Sequence, residues 1–254
     1  MSGSGSGTQS IDRAAQLLSL VVLADRRPLF GDLVAGTGLA KSTASRLLQA
    51  LERHRLLHRD DTGSYAPGPL FALYAARHEP LEGLMRIAQP TLARVSQATG
   101  ETVNLAVVRG NTVVQVAQID STYLIGTTNW VDVDVPPHCS ALGKVFSAAE
   151  MIGLPTTLEQ LTPSTITDLP AFKRQLERIR DQGYAVALGE LEIGLDAIAA
   201  PVRDHTGDVV AALGISGPSD RFGKQLPHLE STVIAHARSL SAELGYHARK
   251  EGAA

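Results

Sequence analysis

Apolar residues recur at helical spacing from the start of the chain, at Ile11, Ala14, Ala15, Leu18 and Val21/Val22, with Ser10 placed to cap the first turn. The stretch "RRPLFGDLVAGTG" predicts a short second helix around Leu29 to Ala35, ended by Gly36 and Gly38, and a third helix runs from about Lys41 to Arg55. In "LLHRDDTGSYAPG" two short polar/apolar runs flank the turn signal Asp61-Thr62-Gly63, which predicts a hairpin. Three helices and a hairpin in under 60 residues describe a winged helix-turn-helix.

Pro67-Gly68-Pro69 then punctuates the chain, and a helical "LFALYAARH" leading to Pro80 reads as a connector. Beyond it, "LEGLMRIAQPTLARVSQATG" predicts a helix ending at Gly100, and "TVNLAVVRGNTVVQVAQID" a hairpin turning at Gly110-Asn111. One or two strands are expected in "YLIGTTNWVDVDV", and helices in "SALGKVFSAAEM" and "FKRQLERIRDQG". The runs "YAVALG", "DAIAAPVRD" and "DVVAALGISG" predict strands, the last two joined at His205-Thr206-Gly207, and a final helix spans about Leu226 to His247. Hairpin-paired strands with interspersed helices make this second part an α+β domain with an antiparallel sheet. The expected organisation is a flexible Gly/Ser tail over 1–9, the winged helix-turn-helix over 10–67, a linker helix over 68–80 and the α+β domain over 81–254.

The third helix carries the first sign of chemistry. On a wheel of 100° per residue, Ala40, Ala44, Leu47, Leu48 and Leu51 share one face, which is expected to be buried. Opposite lie Ser42, Arg46, Gln49 and Arg53, with Ser45 on the flank. Short hydroxyls, Arg and Gln hydrogen-bond base edges and phosphates, and in a helix-turn-helix the N-terminal residues of the second helix enter the major groove. Ser42, Thr43, Ser45 and Arg46 are therefore the expected base readers, and Gln49 is expected to contact DNA from the same face. Arg26, Arg27, Lys41 and Arg59 are the expected phosphate contacts, with Arg59 and Ser64 flanking the wing turn.

The charge balance agrees with that placement. The 254 residues carry a net −3, yet residues 11–66 hold eight Lys/Arg against six acids, so the remainder is acidic. A hydrophobic content of 44 % and a charged content of 19 % suit a folded chain. No apolar run approaches the roughly 18 residues of a membrane span, and "MSGSGSGTQS" does not read as a secretory signal. A single cysteine, Cys139, excludes an internal disulfide framework and fits a reducing cytoplasm. As a nucleophile, Cys139 would need His138 beside it as base, but neighbours on a strand face opposite ways. No metal-ligand spacing is present, and the glycine-rich runs lack the Walker pattern, so no metal or cofactor is expected.

The stretch from "SIDRAAQLLSLVVLADRRPLFGDLVAGTGLAKSTASRLLQALERHRLLHRD" through "SALGKVF" to "LERIRDQGYAVALGELEIGLDAIAAPVRDHTGDVVAALGISGP" resembles the IclR family of bacterial transcriptional regulators. The resemblance covers nearly all of the chain from Ser10 to about Gly245. It implies a winged helix-turn-helix, a linker helix and a GAF-like effector-binding domain, assembled as a homodimer or dimer of dimers on a palindromic double-stranded DNA operator. It also implies a repressor, with an activator of the same family as the alternative and an enzyme on the C-terminal domain as the rival from another class.

Two departures from the family pattern stand out. The family has Ser where this chain has Ala40, and loss of an N-cap costs about 1 kcal/mol. It also has Asp or Ser at Ala187 and an aromatic or His at Arg203. In relatives that bind small carboxylates, an Asp, a Cys and two Ser match Ala187, Ala197, Gly214 and Ser216 here. Only one of those four polar groups survives. The resemblance thus implies a pocket lined by Leu124, Val135, Leu142, Leu195 and Ala197, suited to an aromatic or amphiphilic small molecule. Trp130 is either a stacking platform for that ligand or a packing residue. The backbone amides near Ala141 and Leu142 are placed to hold one oxygen. Ser140 is either a ligand contact or the cap of its helix.

Overall fold

The leading apolar periodicity is realised as α1 (Gly5–Val22) in the computed structural model, which describes residues 5–24, 26–77, 80–123 and 131–247. The chain divides into two compact units, Met1–Gly83 and Leu84–Ala254. In the first, α1 is followed by α2 (Phe30–Thr37), α3 (Lys41–Arg53), β1 (Leu57–Arg59), β2 (Tyr65–Pro67) and α4 (Pro69–Arg77). Leu17 and Val21 of α1, Leu33 of α2, Leu48 and Leu51 of α3, Leu57 and Tyr65 form one buried cluster. Strands β1 and β2 pair antiparallel, Leu57 opposite Pro67 and Arg59 opposite Tyr65, with Gly63 at φ +83° in the turn. A single bridge from Leu29 to Ser64 ties the wing to the start of α2.

Several boundaries differ from the sequence expectation. α1 begins at Gly5, inside the stretch expected to be a flexible tail, so Ser10 lies within the helix rather than capping it. Once Ile11 to Val22 is helical, each further turn costs only propagation and no new nucleus. Gly36 does not end α2; it stands inside the helix, where a Cβ would come within 3.1 Å of Leu20 Cδ1, and Gly38 at φ +66° is the stop. α3 keeps Ala40 as its N-cap with no side-chain bond, and Ala40 is exposed rather than on the buried face. The cap residue precedes the first helical turn, so the wheel does not apply to it. The helix ends at Arg53, short of Arg55, which turns to φ +61°.

In the second unit α5 (Pro80–Thr99) leads to β3 (Thr102–Arg109), β4 (Thr112–Ile119), β5 (Asp134–Val135), α6 (Ala141–Ala148) and α7 (Leu169–Gln182). Then come β6 (Ala185–Leu188), β7 (Leu195–Arg203), β8 (Val209–Pro218) and α8 (Ser219–Glu243). The strands form one antiparallel six-stranded sheet in the order β5-β4-β3-β8-β7-β6, which gives the unit its GAF-like α+β form. Of the strands expected in "YLIGTTNWVDVDV", β5 is the one found, and residues 124–130 lie outside the described residues. α8 begins at Ser219, seven residues before the expected Leu226, and carries Pro227 inside it. Proline there forfeits one backbone bond but does not stop a helix whose Phe222 and Leu229 are buried.

Residue size separates the two faces of the sheet. Ala106, Val113, Val135, Ala185, Ala187, Ala199 and Ala212 share one face and pack against Leu142, Val145 and Phe146 of α6 and Phe172, Leu176 and Ile179 of α7. Larger residues of opposite parity, among them Leu105, Ile198, Leu213 and Ile215, fill the other face, which α8 covers. A bidentate pair fixes the start of α8: Arg221 donates to both carboxylate oxygens of the fully buried Glu101, from Nε at 2.5 Å and from Nη2 at 2.8 Å. Ser140 caps α6 by accepting from the Gly143 amide (3.1 Å), and Asp168 caps α7 by accepting from the Ala171 amide (2.8 Å).

Gly143 has no room for a side chain. A Cβ there would lie 2.4 Å from Pro137 Cα and 2.7 Å from Ser140 Oγ. Gly143→Ala is expected to destabilise the protein by about 3 kcal/mol through overpacking at the start of α6, measured by urea unfolding. A change within error would show that the Pro137–Ser140 segment yields freely.

Candidate nucleic-acid interface and ligand cavity

The outer face of α3 presents Lys41, Ser42, Arg46, Gln49 and Arg53 as exposed side chains, with Thr43 and Ser45 half-buried on its flanks. The four expected base readers and Gln49 therefore lie on one accessible surface of one helix. Arg26 is exposed just ahead of α2. Arg27 is engaged: its Nη1 lies 3.0 Å from Asp60 Oδ2. Asp60 also accepts, through Oδ1, from the Thr62 hydroxyl (2.6 Å) and from the amides of Thr62 and Ser64 (3.0 Å each). These bonds, the Thr62 hydroxyl foremost, hold its carboxyl down at about 2. Asp60 thus builds the wing turn and neutralises Arg27, whose part in the expected phosphate contacts is correspondingly reduced. Arg59 lies along the wing, with Nε donating to the Gly63 carbonyl (3.4 Å) and the guanidinium 5.7 Å from the Tyr65 ring centroid.

The second unit holds a cavity of about 50 Å3 between α6 and the small-residue face of the sheet. Every described residue of the expected pocket lines it: Val135 from β5, Ser140, Ala141 and Leu142 at the start of α6, Ala187 from β6, Leu195 and Ala197 from β7, and Gly214 and Ser216 from β8. Leu124 and Trp130 lie outside the described residues. The convergence follows from register. Ala187 pairs with Ala197 and Ala197 with Ser216, so the three stand in one row across β6, β7 and β8. Gly214 pairs with Asn104 and lets α6 approach. Ser140 reaches the cavity wall, but its hydrogen goes to the Pro136 carbonyl (2.5 Å), which favours its role as a cap.

Sequence reading missed the cavity's polar wall. Asn104 and Gln115 line it together with Ser216: Asn104 Nδ2 donates to Ser216 Oγ (2.9 Å), and Gln115 Nε2 donates to Asn104 Oδ1 (3.0 Å). The available signal was one amide, Asn104, in the run "TVNLAVV" and two, Gln115 and Gln118, in "TVVQVAQI", each set among mostly apolar residues. Cys139 and Leu191 are further unforeseen lining residues. Among the described residues no group of three or more His, Cys, Asp or Glu could hold a metal ion, and no helix is long and apolar enough to cross a membrane.

Next to the cavity lies a buried ion pair. Lys144 of α6, fully buried, donates to Glu190 Oε1 (2.5 Å) and to the Val186 carbonyl (3.1 Å). Burial pulls the Lys144 ammonium below its usual value and pushes the Glu190 carboxyl above its own, outweighing their mutual attraction in both cases. Burial also pushes the Cys139 thiol up to about 11, which leaves it protonated and a poor nucleophile at neutral pH.

Comparison with known proteins decides the family. Residues 81–242 match the model for the bacterial transcriptional regulator IclR C-terminal domain, and residues 10–61 match the IclR helix-turn-helix domain. The chain belongs to the IclR family. It is 31 % identical to the HTH-type transcriptional repressor AllR of Escherichia coli K12, over 95 % of this chain and 92 % of that protein. The AllR repressor of Salmonella typhi is 30 % identical, over 94 % and 91 %. An IclR-type regulator from Silicibacter shares the fold, with a TM-score of 0.78 at 22 % identity, covering 96 % of this chain and 99 % of that one. As a member of the IclR family, this protein is a DNA-binding transcriptional regulator.

Two measurements test the buried groups. Lys144→Ala is expected to cost about 3–5 kcal/mol in urea unfolding, because it strands the Glu190 carboxylate. Lys144→Met combined with Glu190→Met should fall within about 1 kcal/mol of the parent. Equal losses in both variants would assign the cost to packing instead. In native protein the Cys139 thiol should resist iodoacetamide at pH 8 and react only on unfolding or as the pH nears 11; fast native labelling at pH 8 would contradict its burial.

Proposed function

We propose that this IclR-family regulator is a cytoplasmic, ligand-responsive repressor that binds a palindromic operator as a homodimer or dimer of dimers. The observation that carries the reading is the outer face of α3, where Ser42, Arg46 and Gln49 are exposed in a row while Ala44, Leu48 and Leu51 hold the helix from behind. Ser42, Thr43, Ser45, Arg46 and Gln49 read bases, and Lys41, Arg26 and Arg59 contact phosphate, with Arg27 contributing mainly through the wing. The repressors similar to this chain support the sign of regulation. Support for self-association comes from α4, which has no buried residue yet exposes Leu70, Phe71, Leu73 and Tyr74.

The cavity of the second unit receives the effector. Leu142, Leu195 and Val135 offer an apolar wall, and Asn104, Gln115 and Ser216 a polar one, which suits an aromatic or amphiphilic metabolite with one polar edge. The effector shifts the population of arrangements available to paired DNA-binding domains, and no chemical step is involved.

Selection of bound duplexes from a random DNA pool by the full chain should enrich a short palindrome. On that sequence Arg46→Ala is expected to abolish the preference over random DNA while leaving the melting temperature unchanged. Lys41→Ala should weaken binding to all sequences and lower the salt slope by about 0.9 for each phosphate that is no longer neutralised. Failure to enrich any sequence, with only salt-sensitive bulk binding, would overturn the role assigned to α3.

A further inference from the structure

Gln115 and Gln118 are three residues apart on β4, a spacing that in a regular strand puts side chains on opposite faces. The register shifts between them: Ala106 stands opposite Gln115 and Leu105 opposite Ala117, so Val116 is an extra residue. This bulge brings Gln115 and Gln118 onto the face of Asn104, which pairs with Gln118.

On that face the side chains form a row of hydrogen bonds with a fixed direction. A carboxylate accepts and cannot donate. Gln118 therefore turns its nitrogen to Asp120 Oδ1 (2.7 Å) and its carbonyl oxygen to Gln115. Gln115 uses Nε2 twice, toward Gln118 Oε1 (2.7 Å) and Asn104 Oδ1 (3.0 Å). Asn104, accepting at its oxygen, has its nitrogen left for Ser216 Oγ (2.9 Å). A serine that accepts this bond keeps its own hydrogen to donate. Reversing the row would set the Gln118 carbonyl against the Asp120 carboxylate.

We propose that Asp120, acting through Gln118, Gln115 and Asn104, fixes the polar wall of the cavity as a hydrogen-bond donor, so that the ligand must bring an oxygen acceptor, a carbonyl or carboxylate, to Ser216. Asp120 is exposed and does not line the cavity, so it acts as a positioning residue. The other polar side chains nearby do not set this polarity: the Ser140 hydrogen is committed to Pro136, and Lys144 to Glu190 and Val186. The inference rests on the reading of this cavity as the effector site.

The test uses two probes of one shape, acetophenone and α-methylstyrene, which differ in an acceptor oxygen against a methylene. Both are titrated into the full chain, with amide NMR shifts at Ala197 and Gly214 locating them in the cavity. The quantity read is the ratio of the two dissociation constants, compared between variants so that the different hydrophobicity of the probes cancels. Ser216→Ala is expected to lower the preference for acetophenone about five-fold, the worth of one neutral hydrogen bond in a buried site. Asp120→Asn, which can donate to Gln118 and so releases the direction of the row, should lower it two- to three-fold, and Asp120→Glu should keep the parental ratio. A merely structural role for Asp120 would change both affinities together and leave the ratio intact. Binding of both probes with a ratio unmoved by Asp120→Asn would overturn the inference and leave the effector reading standing. Absence of both probes from the cavity would overturn both.

Discussion

Helix α6 lies so close to the sheet at Gly214 that a side chain there would displace Leu142. A Cβ at that position would meet Leu142 Cδ2 at 2.9 Å, and on the far side of α6 a Cβ at Gly143 would strike Pro137. The helix is thus held between two glycines, one beneath it and one within it, and it is buried from Ala141 to Ala148. Alanines at 106, 185, 187, 199 and 212 extend the same shallow floor. Where the floor stays shallow and α6 does not fill it, the cavity remains. Its volume is set by the same small residues that seat the helix, so ligand space and core packing are two results of one choice of residue size.

Polar groups within this core are handled in two ways. Lys144 donates to one carboxylate oxygen of Glu190 and to a backbone carbonyl, but Glu190 Oε2 is buried without a hydrogen-bond partner and burial shifts both groups toward neutrality, so their worth lies in fixing α6 to the 189–194 loop more than in net energy. The amide row of β4 and β3 instead leads from the exposed Asp120 inward, and each member's orientation is determined by the one before it. The first arrangement supplies rigidity beside the cavity, and the second supplies a surface with a defined donor sense.

Much of the fold could be read from the chain because its punctuation is strong. Gly38, Gly110 and Gly183 stop or turn elements at positive φ, and Asp168 caps α7 with its side chain. Two boundaries moved where tertiary packing overrides local signals, at Pro227 within α8 and Gly36 within α2, and a third where α1, once nucleated, propagates back into a glycine-rich start. For the cavity, Ala187, Ala197 and Ser216 were identifiable through family resemblance, and strand register explains why they meet. Asn104 and Gln115 were not, because their shared face depends on the bulge at Val116. An apolar strand with one inserted residue has no separate mark in sequence, since Val116 would suit a regular strand equally well.

The same separation of duties holds in the first unit. Its cluster of Leu17, Val21, Leu33, Leu48, Leu51, Leu57 and Tyr65 uses only the inner face of α3, and Asp60 with Arg27 builds the wing from residues off that helix. The outer face of α3 therefore carries no packing obligation. In such a helix, the hydroxyl of Ser42 gains nothing for stability over the stronger helix formers Ala, Glu or Lys, and Arg46 does no better than Glu or Lys would. Stability therefore does not account for their presence there, and the base reading proposed for this face gives them a use.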